Sequence, residues 1–173
     1  MINILENYLE EIQKDNRTWR KRVEVYIRKE NKIVVGMHKR FKIILPPGGG
    51  IDKGETLNQA AKRECLEEVG IKIKNIKKIA EYKSLNNWTQ KQIDDNEELQ
   101  RKNKLYKGAI VQYVVCDYDG VNKTLYNKNK EDKMKIYEFT IPELIKIFKK
   151  QENNDLSILK QRIKVLNTIE KMK

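Results

Sequence analysis

With 173 residues, of which 39% are hydrophobic, the chain suits one globular domain over residues 1–173, and no apolar run approaches the ~20 residues that span a membrane. One histidine, His38, and two cysteines, Cys65 and Cys116, are too few for a Cys/His zinc cluster or a histidine-based triad, so we expect both cysteines to be buried small hydrophobes. The net charge of +12 favours polyanionic partners. Lysine supplies most of the positive charge, however, whereas nucleic-acid surfaces rely on arginine. RNA therefore remains a possible partner that no motif supports.

The first part of the chain predicts a helix followed by strands. Apolar residues with helical spacing predict an N-terminal helical extension over residues 1–18. Apolar and polar side chains alternate in residues 23–27, which predicts a half-buried strand. Residues 32–37 and 41–45 supply two short strands, and the second leads into a run of glycines. Three arginines in this part are either phosphate contacts or ordinary surface charges: Arg20, Arg22 and Arg40.

Residues 49–71 contain a helix with recognisable ends. Thr56 and Gln59 have the spacing of a capping box, in which each side chain bonds the other residue's backbone amide, so we expect the helix to begin at about Leu57. Gly70 is the expected stop, because glycine accepts the left-handed conformation that follows many helices. One stripe of this helix is apolar and is expected to pack against a sheet: Leu57, Ala61, Cys65 and Val69.

Three glutamates lie on the neighbouring face of the same helix. At ~100° per residue, Glu64, Glu67 and Glu68 fall at about 0°, 300° and 40°, so they share an arc of roughly 100°. Like charges placed together destabilise a fold unless a cation lies among them, and oxygen-only ligands suit a hard ion. The pattern predicts a Mg²⁺ or Mn²⁺ site, and a merely solvated acidic face is the alternative.

Seven residues of this segment follow the pattern G-x5-E-x7-R-E-U-x-E-E-x-G-U, where U is a bulky apolar residue: Gly49, Glu55, Arg63, Glu64, Glu67, Glu68 and Gly70. Together with the glycines before them, they resemble the Nudix box of the MutT-type phosphohydrolases. The resemblance implies an α/β (α+β) fold, an α/β/α sandwich with a mixed sheet, to which this chain adds N- and C-terminal helices. It also implies an enzyme that hydrolyses phosphorus-containing acid anhydrides, in which water attacks a phosphorus of a nucleoside diphosphate linked to another group.

The resemblance assigns roles to the residues of the box. Glu64, Glu67 and Glu68 would be catalytic residues that bind the metal, with the carbonyl of Gly48 or Gly49 as a further ligand beside the substrate. A second set would be structural: Arg63 and Glu55 would form an ion pair between loop and helix, and Gly70 would end the helix.

Family members differ over the general base. It is either a glutamate of the box or a glutamate on a later loop. Glu131 is our candidate for the second type, because it precedes a strand-like segment; the alternative is a solvated residue in a charged run. Glu97 and Glu98 are rivals for the same role.

Beyond the box, residues 71–83 and 105–117 predict two longer strands. Between them residues 85–104 are polar and longer than an ordinary hairpin connection, so they form either a substrate lid or a solvated loop. Within this segment Trp88 would stack on a nucleobase or pack on the fold.

The end of the chain is expected to be helical. Thr140 and Glu143 have capping-box spacing at the start of one helix. Apolar residues on one stripe predict a final helix over residues 152–173.

The preferred interpretation is a cytoplasmic, metal-dependent pyrophosphohydrolase with a small-molecule diphosphate partner, a nucleoside triphosphate or a dinucleoside polyphosphate. Diphosphoinositol polyphosphates and capped RNA remain alternative substrates. A different class, a non-catalytic nucleotide- or RNA-binding Nudix domain, is disfavoured because Glu64, Glu67 and Glu68 are all present. The sequence indicates no membrane partner and leaves the oligomeric state open.

Overall fold

The computed structural model describes residues 15–38, 42–86, 89–122, 134–151 and 156–172, the first two residues of the last range by their backbone alone. The predictions for residues 1–14, Arg40, Trp88 and Glu131 therefore lie outside the described residues. Residues 15–17 form no helix, so the predicted N-terminal helix does not extend to residue 18.

A six-stranded sheet organises the fold, with strand order β3-β2-β1-β5-β4 and β6 paired to β2. Strand β2 is antiparallel to β1, β3 and β6. The strands are β1 Thr18–Lys29, β2 Lys32–Met37, β3 Ile44–Leu45, β4 Ile71–Leu85, β5 Tyr106–Val121 and β6 Lys135–Phe139. The prediction of a mixed sheet in an α/β/α sandwich is confirmed.

Helices flank the sheet and connect its strands. They are α1 Leu57–Glu64, a π-helical turn Cys65–Val69, α2 Gln90–Asp94, α3 Glu97–Leu105, α4 Ile141–Lys150 and α5 Leu156–Glu170. Helix α1 begins where the capping box predicted, and α4 follows the predicted capping box at Thr140 and Glu143. Helix α5 ends at Glu170, and residues 171–172 form a turn, so the predicted helix over residues 152–173 is too long at its C-terminal end; residues 152–155 lie outside the described residues. No helix in the described ranges is both long and apolar enough to cross a membrane.

The prediction of a half-buried strand at residues 23–27 is wrong, because β1 is buried on both faces. Its apolar face joins the core under α1, and the predicted apolar stripe of that helix packs there, with both free cysteines buried in the same core. The opposite face carries Glu24 and Tyr26, which are buried because Arg162 of α5 neutralises Glu24. A polar residue in a strand therefore indicated an internal ion pair and not solvent.

The described residues form two compact units: the described parts of residues 1–20 and 83–110, and the described parts of residues 21–82 and 111–173. In the smaller unit, the ring of Trp19 lies 5.5 Å from Lys83 Nζ and 5.6 Å from Lys107 Nζ. The larger unit contains the whole box. That one domain spans residues 1–173 remains a prediction.

The segment expected to be a polar lid or loop is helical, since α2 and α3 occupy most of residues 90–105. Thr89 and Gln92 form a capping box at the start of α2, and the Asn96 side chain accepts the Leu99 amide at the start of α3. A role as a substrate lid stays a prediction.

Candidate active site

The glycine run before the box is fixed by backbone hydrogen bonds to β1. Val25 N donates to Pro47 O at 2.9 Å, Val23 N donates to Gly49 O at 3.0 Å, and Ile51 N donates to the Lys21 carbonyl at 3.1 Å. A Cβ at Gly48 would overlap the Val23 carbonyl, so this close approach requires glycine. The loop is thereby held flat against the sheet.

The box helix changes its winding where the glutamates begin. Thr56 caps α1, and Gly70 ends the segment with φ 65° and ψ 25° in the left-handed region. Between them the Gly70 amide is shared between Leu66 O, at 3.1 Å, and Cys65 O, five residues back, and the second bond marks a turn widened into a π-helix. The uniform 100° step is therefore wrong beyond Glu64, and the arc shared by the three glutamates is not the one calculated for an α-helix.

Arg63 connects the loop to the helix. Its Nε and Nη2 bond both carboxylate oxygens of Glu55 at 2.9 Å, and Nη2 also donates to Gly50 O at 2.9 Å. Its Nη1 donates to Glu64 Oε1 at 2.7 Å and to Glu67 Oε2 at 3.2 Å. One guanidinium thus orients two of the three box carboxylates while holding the glycine loop.

The third box carboxylate lies on the glycine side. Glu68 Oε2 accepts the Gly48 amide at 2.8 Å, and a Cβ at Gly49 would collide with the Glu64 carboxylate. In the described ranges no three Asp, Glu, His or Cys side chains converge closely enough to hold a metal ion as they stand. Glu64 and Glu67 meet at Arg63, and Glu68 turns to Gly48.

The donor set nevertheless fits a divalent cation. Glu64 is 8% exposed and Glu68 touches the loop that a diphosphate would approach, so their oxygens line the same glycine surface. Carboxylate and carbonyl oxygens are the ligands that Mg²⁺ and Mn²⁺ prefer. The Gly49 carbonyl already accepts the Val23 amide, which leaves one lone pair for a metal.

Burial and charge act in opposite directions on these carboxyls. Burial raises the pKa of Glu64, and hydrogen bonding and charge from Arg63, with the charge of Arg22, partly oppose this rise. The hydrogen bond from Arg63 lowers the pKa of Glu55, and the pKa of Arg63 itself is raised, chiefly by Glu55. Arg63 is therefore a fixed cation, whereas Glu64 gains protons more readily than an ordinary glutamate.

Arg63→Lys is expected to leave the protein folded but lower turnover by about tenfold or more. A lysine cannot reproduce the fork that binds Glu55, Gly50 and Glu64 together, so Glu64 and Glu67 lose their orientation. Steady-state kinetics and circular dichroism check this outcome. Lys62→Arg, on the neighbouring exposed position, is the matched control; equal kinetics in Arg63→Lys and wild type would contradict the orienting role.

The raised pKa of Glu64 predicts weaker metal binding on the acid side. A metal ligand must be ionised, so apparent Mg²⁺ affinity should fall as pH decreases through a pKa above the usual 4.5 of glutamate. The effect of pH on folding stability has the opposite sign. Folding favours the protonated form of Glu64, so the stabilisation that Glu64 provides is present at low pH and is lost as the pH rises through its pKa in the folded protein. Calorimetric Mg²⁺ titrations between pH 4.5 and 7 check the affinity, and a pH-independent affinity would contradict it.

The remaining predicted residues fall into two groups. Arg40, Trp88 and Glu131 lie outside the described residues. Glu97 and Glu98 lie in the first turn of α3, where Glu98 pairs with Lys102, whose hydrogen bond lowers the pKa of Glu98.

Comparison with known proteins identifies the family. A family profile described as the NUDIX domain matches residues 18–160, which is most of the chain. The chain belongs to the Nudix family, and the predicted class, a hydrolase acting on phosphorus-containing acid anhydrides, is confirmed at the level of that family.

Curated relatives match over about a third of the chain. The NAD-capped RNA hydrolase NudC of Photobacterium profundum is 44% identical over 55 residues, which are 31% of this chain and 21% of the relative. NudC of Salmonella agona is 42% identical over 57 residues, or 32% of this chain and 22% of the relative. The match thus spans about a fifth of the length of these relatives.

Solved structures share the fold over more of the chain. A protein described as an ADP compounds hydrolase has a TM-score of 0.63 at 14% identity, covering 91% of this chain and 74% of that one. A Nudix hydrolase from Nitrosomonas europaea has a TM-score of 0.59 at 15% identity, covering 87% and 91%. At such identities the likeness supports the fold alone.

Proposed function

We propose that this chain is a divalent-metal-dependent pyrophosphohydrolase that cleaves a phosphoanhydride bond in a nucleoside diphosphate-linked substrate. The observation that carries the proposal is the placement of the box carboxylates against the glycine loop: Glu64 under Gly49 and Glu68 on the Gly48 amide. The metal would be Mg²⁺ or Mn²⁺, held by Glu64, Glu67 and Glu68 with a glycine carbonyl.

When bound, such a cation neutralises charge on the diphosphate and lowers the pKa of the attacking water. The protein's own part is positional. Arg63 holds two carboxylates, and the loop's backbone lies flat against β1 so that a diphosphate has close access. Burial of Glu64 excludes bulk water from one side of the site.

The general base remains between a box glutamate and Glu131. Met134 N donates to the Glu68 carbonyl at 2.9 Å, so the chain just after the segment that contains Glu131 is tied to the box helix. This link is what supports Glu131 as a candidate. Glu131→Gln, compared with Glu68→Gln, separates the two assignments, because the variant that lacks the general base loses the acid limb of the pH–rate profile, where the base would gain a proton.

For the substrate, nucleoside triphosphates and dinucleoside polyphosphates lead, and capped RNA is the second candidate. The observation that favours capped RNA is the match, over about a third of this chain, to proteins named NAD-capped RNA hydrolases. The net charge of +12 would assist a polyanionic substrate of either kind.

Product identification by mass spectrometry tests the proposal. Purified protein would be incubated with Mg²⁺, Mn²⁺ or chelator and with nucleoside triphosphates, dinucleoside polyphosphates, ADP-ribose, diphosphoinositol polyphosphates and triphosphate- or NAD-capped RNA. Metal-dependent cleavage of one class names the substrate and the bond that breaks. If no substrate is cleaved with either metal, the pyrophosphohydrolase proposal is wrong and a binding domain becomes the better explanation.

A further inference from the structure

Arg22 lies on β1 directly beside the glycine loop. It forms an antiparallel bridge with Gly50, one residue past the position where Gly49 approaches Glu64. Its side chain lines a small cavity of about 50 Å³ whose wall also includes Gly48, Glu24, Tyr113 and Arg162. The cavity therefore borders the same glycine whose amide binds Glu68.

The two arginines of this cavity differ in how they are paired. Arg162 makes three hydrogen bonds of 2.8 to 3.2 Å to both oxygens of Glu24, so its charge is neutralised. Arg22 Nε is buried and has no hydrogen-bond partner among the described residues. The wall of the cavity thus holds one carboxylate, which is paired with Arg162, and a second guanidinium, Arg22, whose charge acts on Glu64 of the box.

A buried donor without an acceptor destabilises the protein until an acceptor arrives. The acceptor that suits a guanidinium best is an anionic group with two oxygens, which its planar fork binds through paired, charge-assisted hydrogen bonds. The loop beside Arg22 is the one against which the box would hold a diphosphate. Because Arg22 Nε is buried, a substrate oxygen would reach it through the small cavity beside Gly48, whereas an ordered water there would satisfy the donor without any role in binding.

We propose that Arg22 is a substrate-binding residue that contacts a non-bridging oxygen of the diphosphate, on the β1 side of the glycine loop. The inference rests on the proposed function, because it assumes that the box holds a diphosphate. It adds a protein cation to the metal-binding carboxylates, so charge on the phosphate farther from the metal is also compensated.

Calorimetric binding of methylenediphosphonate, a non-hydrolysable diphosphate, in the presence of Mg²⁺ tests this role. Arg22→Met is expected to weaken binding on the order of 10- to 100-fold, the loss typical of hydrogen bonds to a charged group, and Arg22→Lys to recover part of it. Arg28→Met is the matched control: it lies on the same face of β1 but is paired with Asp117 at 2.8 Å, so its loss should leave binding unchanged.

Two further readouts separate contact with substrate from a structural role. Without ligand, the melting temperature of Arg22→Met should equal or exceed that of wild type, because a buried donor without a partner is removed. Mg²⁺ affinity without diphosphonate should not fall, because Arg22 is not a metal ligand. A lower melting temperature, a lower Mg²⁺ affinity, or binding equal to wild type would each overturn the inference.

Failure of this inference is distinguishable from failure of the proposed function. Wild type that hydrolyses a diphosphate while Arg22→Met binds and turns over equally well overturns only the role of Arg22. Wild type that binds methylenediphosphonate through Arg22 but cleaves no substrate overturns only the hydrolase. Wild type that does not bind the diphosphonate overturns the inference as well.

Discussion

Glu68→Gln is expected to reduce turnover of the cleaved diphosphate by at least ~100-fold while the protein stays folded. The amide keeps the size of the side chain and an oxygen that still accepts the Gly48 amide, so the loop contact at 2.8 Å survives. What is lost is the negative charge that, in the proposed metal site, would bind the cation and orient water. The defect should therefore appear in kcat and in Mg²⁺ affinity together, and excess Mg²⁺ should restore only part of the activity.

The measurement is single-turnover kinetics over a Mg²⁺ titration, with thermal unfolding to verify the fold. Glu81→Gln is the matched control, because Glu81 is an exposed glutamate on β4 that forms an ion pair with Lys78, away from the box. It should turn over like wild type. Glu68→Gln with wild-type kinetics at saturating Mg²⁺ would contradict the assignment of the metal site to this helix.

The box could be predicted in such detail because its signals are local. The capping box at Thr56, the left-handed stop at Gly70 and the residue spacing all depend on neighbours within one or two helical turns. The same signal was present at Thr89 and Gln92, where the polar composition of the segment outweighed it and a helix was missed. Composition was therefore a poorer guide there than the cap.

Features that depend on tertiary packing could not be predicted. The π-turn at Cys65–Val69 keeps Val69 in the core and Gly70 at the helix end at once, and nothing in a 3.6-residue pattern indicates it. Burial of the second face of β1 could not be predicted either, because it depends on a C-terminal helix that places Arg162 beside Glu24, 138 residues away in sequence. Arg22 Nε has no hydrogen-bond partner among the described residues, and this too becomes apparent only once the loop has folded onto β1.

Arg162→Met is expected to destabilise the protein by about 3–5 kcal/mol, the cost of leaving one member of a buried ion pair alone. The side chains of Arg162 and Glu24 are each about 10% exposed. After the substitution, Glu24 would still accept a hydrogen bond at 3.0 Å from the Tyr26 hydroxyl, but no positive charge would neutralise its carboxylate. Burial acts to lower the pKa of Arg162, but the charge of Glu24 and its hydrogen bonds outweigh burial and raise that pKa, so the guanidinium stays charged.

Urea unfolding of a double-mutant cycle separates the value of the pair from the cost of breaking it. Arg162→Met combined with Glu24→Gln should recover most of the lost stability, because no uncompensated charge remains and the methionine keeps the contact with Phe148. Lys29→Met, which breaks an exposed pair with Glu138 on the same sheet, is the control and should cost at most ~1 kcal/mol. If Arg162→Met costs no more than this control, Glu24 is solvated in solution, and burial of the polar face of β1 would need another explanation.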